Sequence, residues 1–101
     1  MVEWGIGLCR HTSLRALIDC SRTDLETDFR AELPRLKLPT LIVHGDKDVS
    51  APLNLAARKA VQLIPGSRLV VYAGAPHGLM FTHMGPLNTD LLAFMEEGES
   101  R

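Results

Sequence analysis

The chain is short of most features that would announce a function. It has two cysteines, Cys9 and Cys20, in 101 residues. That is too few for a disulfide scaffold, and with no secretory leader they read as reduced thiols. It has no excess of charge: 11 basic and 12 acidic side chains give a formal net charge of -1, which gives neither nucleic acid nor an anionic membrane a footing. Its apolar runs, such as 41–43, 69–72 and 91–95, fall far short of a bilayer's thickness. The amino end, Met1-Val2-Glu3-Trp4-Gly5-Ile6-Gly7, lacks the basic region and long apolar stretch of a signal peptide, so a cytoplasmic location is expected. There are no internal repeats, no low-complexity stretch, and no His-x-His or Cys-x-x-Cys spacing to start a metal site. None of the serines, Ser13, Ser21, Ser50, Ser67 and Ser100, has glycine two residues before and two after it, so the chain carries no nucleophile elbow.

What is present is an ordinary globular composition, 46% hydrophobic and 23% charged, in a length that suits one small domain. Residues 1–8 are apolar with glycines and predict no definite element. Thr12 and Ser13 can cap a short helix carrying Leu14, Leu17 and Ile18 and ending near Cys20. Thr23-Asp24-Leu25-Glu26 repeats the cap pattern. Leu25, Phe29 and Leu33 then fall at i, i+4 and i+8, so a second helix is expected across them. Pro34 and Pro39 bracket a linker.

From Thr40 the texture changes. Residues 40–44 form a continuous apolar, β-branched run, the mark of a parallel strand buried on both faces. A turn over 45–51 follows, and Pro52 suits the opening of a helix over about 53–64, where its missing N–H costs nothing. Pro65-Gly66 ends that helix. A second strand spans 68–73, a loop spans 75–78, and a last helix is expected over about 86–97, with 98–101 a frayed tail. The fold class is α/β, a βαβα unit preceded by short helices, with a boundary between 1–38 and 39–101. Parallel pairing of the two strands puts their carboxyl ends on one edge, where open α/β sheets build their sites.

Two loops leave that edge. One carries Asp46 and Asp48, the other His77. A histidine acting as general base for a hydroxyl needs its second ring nitrogen held by a carboxylate, which fixes the tautomer and stabilises the imidazolium. Asp48 and His77 meet that need if their loops converge. Asp46, directly after Gly45, is placed to hydrogen-bond loop N–H groups and shape the turn. His44 at the strand end reads as a packed structural residue, and His11 and His83 as surface or helix-start residues.

The stretch His44-Gly45-Asp46-Lys47-Asp48-Val49-Ser50-Ala51-Pro52, followed by a helix and then Gly74-Ala75-Pro76-His77-Gly78, resembles the carboxyl-terminal part of α/β-hydrolases. The likeness is to the cofactor-free haloperoxidase (non-haem chloroperoxidase) and aryl-esterase group. Residues 27–34 and 82–94 resemble that group as well. The resemblance implies that Asp48 is the triad acid and His77 the triad base, that Gly45, Asp46 and Gly78 shape the turns, and that 1–33 is the end of a cap region. It implies small acyl substrates, esters or carboxylic acids with peroxide, and no cofactor. Met80 and Phe81, just past the histidine, and Trp4 are candidate substrate-pocket residues, with core packing the plainer explanation of each.

Family members run to about twice this length or more, so the serine, the oxyanion hole and most of the sheet would come from elsewhere. The expected partners are therefore a second copy of the chain or a complementing amino-terminal fragment, since an open parallel edge invites association. The alternative from another class is a non-catalytic α/β module for binding or assembly.

Overall fold

From residue 41 onward the chain runs strand, helix, strand and then two helices. The computed structural model describes residues 1–99. Helices α1 (Val2–His11) and α2 (Leu14–Glu26) come first, then a 3₁₀ turn at Leu33–Arg35. Strand β1 (Leu41–Gly45), helix α3 (Ala57–Leu63), strand β2 (Arg68–Tyr72), helix α4 (Leu79–Thr82) and helix α5 (Met84–Glu99) follow. The two strands pair in parallel, with Leu41 opposite Arg68 and Gly45 opposite Tyr72. Each lies within one residue of the expected span.

Several expectations for the helices need correction. Residues 2–11 are helical, and the cap-like Thr23-Asp24 does not start a new helix. Thr23 Oγ1 donates to the Asp19 carbonyl at 2.9 Å, a bond made from inside a helix, so α2 runs on to Glu26 from its Ser13 cap, which accepts from Ala16 N at 3.1 Å. The helix expected through Leu25, Phe29 and Leu33 is absent. Arg30 folds back on Asp28, its backbone N–H and its side chain both donating to the carboxylate, and that local bond competes with helix. The Asp28 carboxyl is held at about 2, first by the Arg30 side-chain hydrogen bond.

Helix α3 begins later than the expected residue 53. The N–H groups of Leu55 and Ala56 both close turns onto the Pro52 carbonyl, and Ala56 has φ −112° and ψ −89°, outside the helical region. The last helix starts earlier than expected, at Met84, and includes Gly98 and Glu99 of the expected tail. Ser100 and Arg101 lie outside the described residues.

The core sits at the carboxyl ends of the strands. Tyr72, Ala75 and Leu79 are buried there, with Val43, Val70 and Leu87 packed against them. By contrast α1, α2 and the 3₁₀ turn bury no residue. The radius of gyration, 16.0 Å, exceeds the roughly 13 Å of a compact chain of about 100 residues. A parallel strand pair asks for cover on both faces, and residues 41–44 stay half-buried.

Candidate active site

The site depends on two loops crossing where β1 and β2 end side by side. Asp46 N donates to the Tyr72 carbonyl at 3.2 Å, and Lys47 N to the Ala75 carbonyl at 2.9 Å. Asp46 Oδ1 accepts from Gly74 N at 2.7 Å. The crossing is tight at Gly45: a Cβ there would lie 2.1 Å from the Ala75 carbonyl oxygen and 2.6 Å from its carbon. Both are backbone atoms, so glycine is required by close approach. Gly74, with φ 73°, turns the second loop toward the first in the left-handed region that favours glycine. Gly78 is different. It precedes α4 with φ −80°, and a Cβ would meet only the Phe81 ring at 4.0 Å.

This crossing brings Asp48 and His77 together. His77 Nδ1 lies 2.7 Å from Asp48 Oδ2. Asp48 is 8% exposed, and its other oxygen accepts from the N–H groups of Ser50 and Ala51, each at 2.9 Å. The carboxyl is held below the usual carboxylate range, chiefly by the Ala51 N–H, with the His77 hydrogen bond and charge and the Ser50 N–H adding to it; burial acts in the opposite direction. An ionised carboxylate can only accept, so Nδ1 of His77 carries the proton. That leaves Nε2 as the basic nitrogen, on a side chain 66% exposed. The pair can take a proton from a hydroxyl and give it back.

A cleft of about 380 Å³ opens beside the pair, with Asp48, His77, Met80, Leu79, Leu87 and Leu91 in its wall. Met80 thus lies beside the pair, as its place just after His77 suggests. Phe81 is half-exposed and Trp4, on α1, is exposed; neither lines this cleft. A larger groove of about 580 Å³ lies along α2 between Asp19 and Phe29, but it holds no histidine. Among the described residues no group of three His, Cys, Asp or Glu side chains is arranged to hold a metal ion. No helix among the described residues is long and apolar enough to cross a membrane. Cys9 and Cys20 are free and exposed.

Two features at the site's edge do not follow from the sequence reading. His44 Nε2 lies 2.7 Å from the Ala51 carbonyl and 3.5 Å from Asp48 Oδ2. Its signal is a lone polar side chain in an apolar strand, four residues before the acid. The Tyr72 hydroxyl donates to Asp90 of α5, and its ring stacks on His83 with centroids 6.2 Å apart. Burial first, then the Asp90 hydrogen bond and charge, pushes the phenol up to about 12. The signal for Asp90 is an acid among Leu87, Leu91 and Phe94 on an otherwise apolar helix face.

No family model matches the chain. It is similar to the non-heme chloroperoxidase of Streptomyces lividans, 41% identical over 77% of this chain and 28% of the relative. It is also similar to the bifunctional esterase/perhydrolase of Acinetobacter calcoaceticus, 37% identical over 69% of this chain and 25% of the relative. In three dimensions it matches the bromoperoxidase of Bacillus anthracis with a TM-score of 0.83, at 36% identity, over 86% of this chain and 32% of that one. The chain therefore spans between a quarter and a third of the length of these proteins, and what it matches is their carboxyl-terminal part.

Proposed function

The chain belongs to the α/β-hydrolase superfamily, in its non-heme haloperoxidase and esterase group, and on that premise we propose that it is the carboxyl-terminal, proton-handling part of a serine hydrolase. The observation that carries this reading is the 2.7 Å contact between His77 Nδ1 and Asp48 Oδ2, made by a histidine side chain that is largely exposed. In the proposed mechanism His77 Nε2 accepts the hydroxyl proton of a serine supplied from outside this chain as that serine attacks an acyl carbon. Asp48 stabilises the imidazolium, and His77 then returns the proton to the leaving alkoxide. Gly45 and Asp46 hold the loop crossing, and Met80 offers the acyl group an apolar wall.

The substrates we assign are small esters, or carboxylic acids with peroxide, in keeping with the names of the relatives. No cofactor is required by this chemistry. Residues 39–101 form the catalytic portion and 1–38 the remnant of a cap. The exposed thiols suit a reducing compartment such as the cytoplasm.

A serine nucleophile and an oxyanion hole are the groups that lower the barrier to acyl transfer most. The chain supplies neither, so alone it is expected to be inactive. The test is co-expression with the complementary amino-terminal part of a relative, reading hydrolysis of p-nitrophenyl acetate. Turnover that disappears in His77→Ala and in Asp48→Asn is the expected result. An assembly that forms and stays inactive would favour the non-catalytic binding module instead.

A further inference from the structure

We propose that His44 is a positioning residue for the Asp48–His77 pair, acting by strapping the acid loop in place through the Ala51 carbonyl; this rests on reading that pair as the acid and base of the site. The geometry is specific. Ala51 is held on both sides: its N–H donates to Asp48 Oδ1 at 2.9 Å, and its carbonyl lies 2.7 Å from His44 Nε2. A carbonyl only accepts, so Nε2 of His44 carries a proton in either charge state of the ring. The same nitrogen is 3.5 Å from Asp48 Oδ2, the oxygen that His77 uses.

His44 stands on β1, fixed opposite Val71 of β2, and its side chain is only 11% exposed. It therefore couples the rigid strand pair to a loop that has no secondary structure of its own between 48 and 52. Asp48 points Oδ2 at His77 because Oδ1 is occupied by two backbone N–H groups. Those groups stay in place only while residues 50 and 51 do. His44 holds Ala51 at its carbonyl, from the strand side.

The readout is the tautomer of His77, followed by ¹⁵N NMR of the ring at a pH where it is neutral. The carboxylate at Nδ1 selects the Nδ1–H form, whereas a solvated imidazole favours Nε2–H. The variants are made in the full chain. His44→Phe and His44→Leu, two donor-free replacements of different volume, are expected to lose the Nδ1–H signal of His77 while the strands remain paired. His44→Gln, which returns an N–H donor at similar reach, is expected to keep it. Retention of the signal in whichever donor-free variant folds overturns the proposal, because His44 would then only stabilise the strand. Loss of the signal in a folded His44→Gln also overturns it. Asp48→Asn separates the two readings: a His77 tautomer unchanged by Asp48→Asn means that the acid–base pair itself is wrong. A tautomer changed by Asp48→Asn but by neither donor-free variant means that only the role of His44 is wrong.

Discussion

The amino-terminal helices and the βαβ stretch after them both carry apolar side chains, yet they use them differently. In α1 and α2 the large apolar residues Trp4, Leu8, Leu14, Leu17 and Ile18 stay substantially exposed, and neither helix buries a residue. Between β1 and α4 the chain builds a small closed core of Tyr72, Ala75 and Leu79, and that core lies beneath the crossing of the two site loops. The contrast teaches that placing an acid beside a base needs only a short parallel pair and two loops that touch. Covering the faces of that pair needs much more chain. Helical propensity and a Ser13 cap suffice to draw α2, while its Leu14, Leu17 and Ile18 stay exposed.

The largest expected effect breaks the better-packed half. Gly45→Val forces side-chain atoms into the Ala75 backbone, where even a Cβ would sit at 2.1 Å. The loops must separate, at a cost of about 3 kcal/mol by comparison with overpacked cores. Thermal or urea unfolding checks it, and a Gly45→Val chain as stable as the parent would show that the crossing is not what organises this half. Tyr72→Phe comes next. It removes the hydroxyl that Asp90 accepts from and leaves that carboxylate without this donor, for a loss of about 1–2 kcal/mol and a looser α5 in hydrogen exchange.

Acid sharpens the comparison further. The Asp48 carboxyl is held below its ordinary value of 3.8, so the stability it contributes is present above pH 3.8 and is lost as pH falls through its lower folded value. Asp48→Asn is expected to flatten that part of the acid-unfolding curve. The Asp28 carboxyl, at about 2, has the same sign between 3.8 and about 2, but its pair with Arg30 is exposed and lies in the half that buries nothing. Asp28→Asn is therefore expected to leave the acid midpoint of the βαβ core where it was. The smallest effect is expected from deleting residues 1–27, which should change the stability of the remainder by no more than about 0.5 kcal/mol, the range of changes away from packed features. A large loss would mean that α1 and α2 do support the core.

The parallel strands were legible because runs of β-branched residues bounded by Gly45 and by Ser67 leave little else for the backbone to do. The meeting of Asp48 and His77 was legible because parallel pairing places both strand ends on one edge; the 2.7 Å contact is the consequence of that topology. The helix break after Glu26 was not legible, since Thr23-Asp24 has the chemistry of a cap and only the back-bond to Asp19 keeps it inside α2. The late start of α3 was equally hidden, because Pro52 suits a first helical turn while its carbonyl in fact closes two successive turns. The role of His44 at the site depends on a contact with Ala51, seven residues away, through a loop whose path no local pattern specifies.

Under the proposed function this chain carries the acid and the base of a hydrolase site and depends on another source for its nucleophile. Hydrolysis of p-nitrophenyl acetate by the purified chain, with His77→Ala measured alongside, tests it most directly. The expected rate is no higher than that of free imidazole at the same histidine concentration, and equal for the two proteins beyond that background. Turnover well above it that vanishes in His77→Ala would contradict the account.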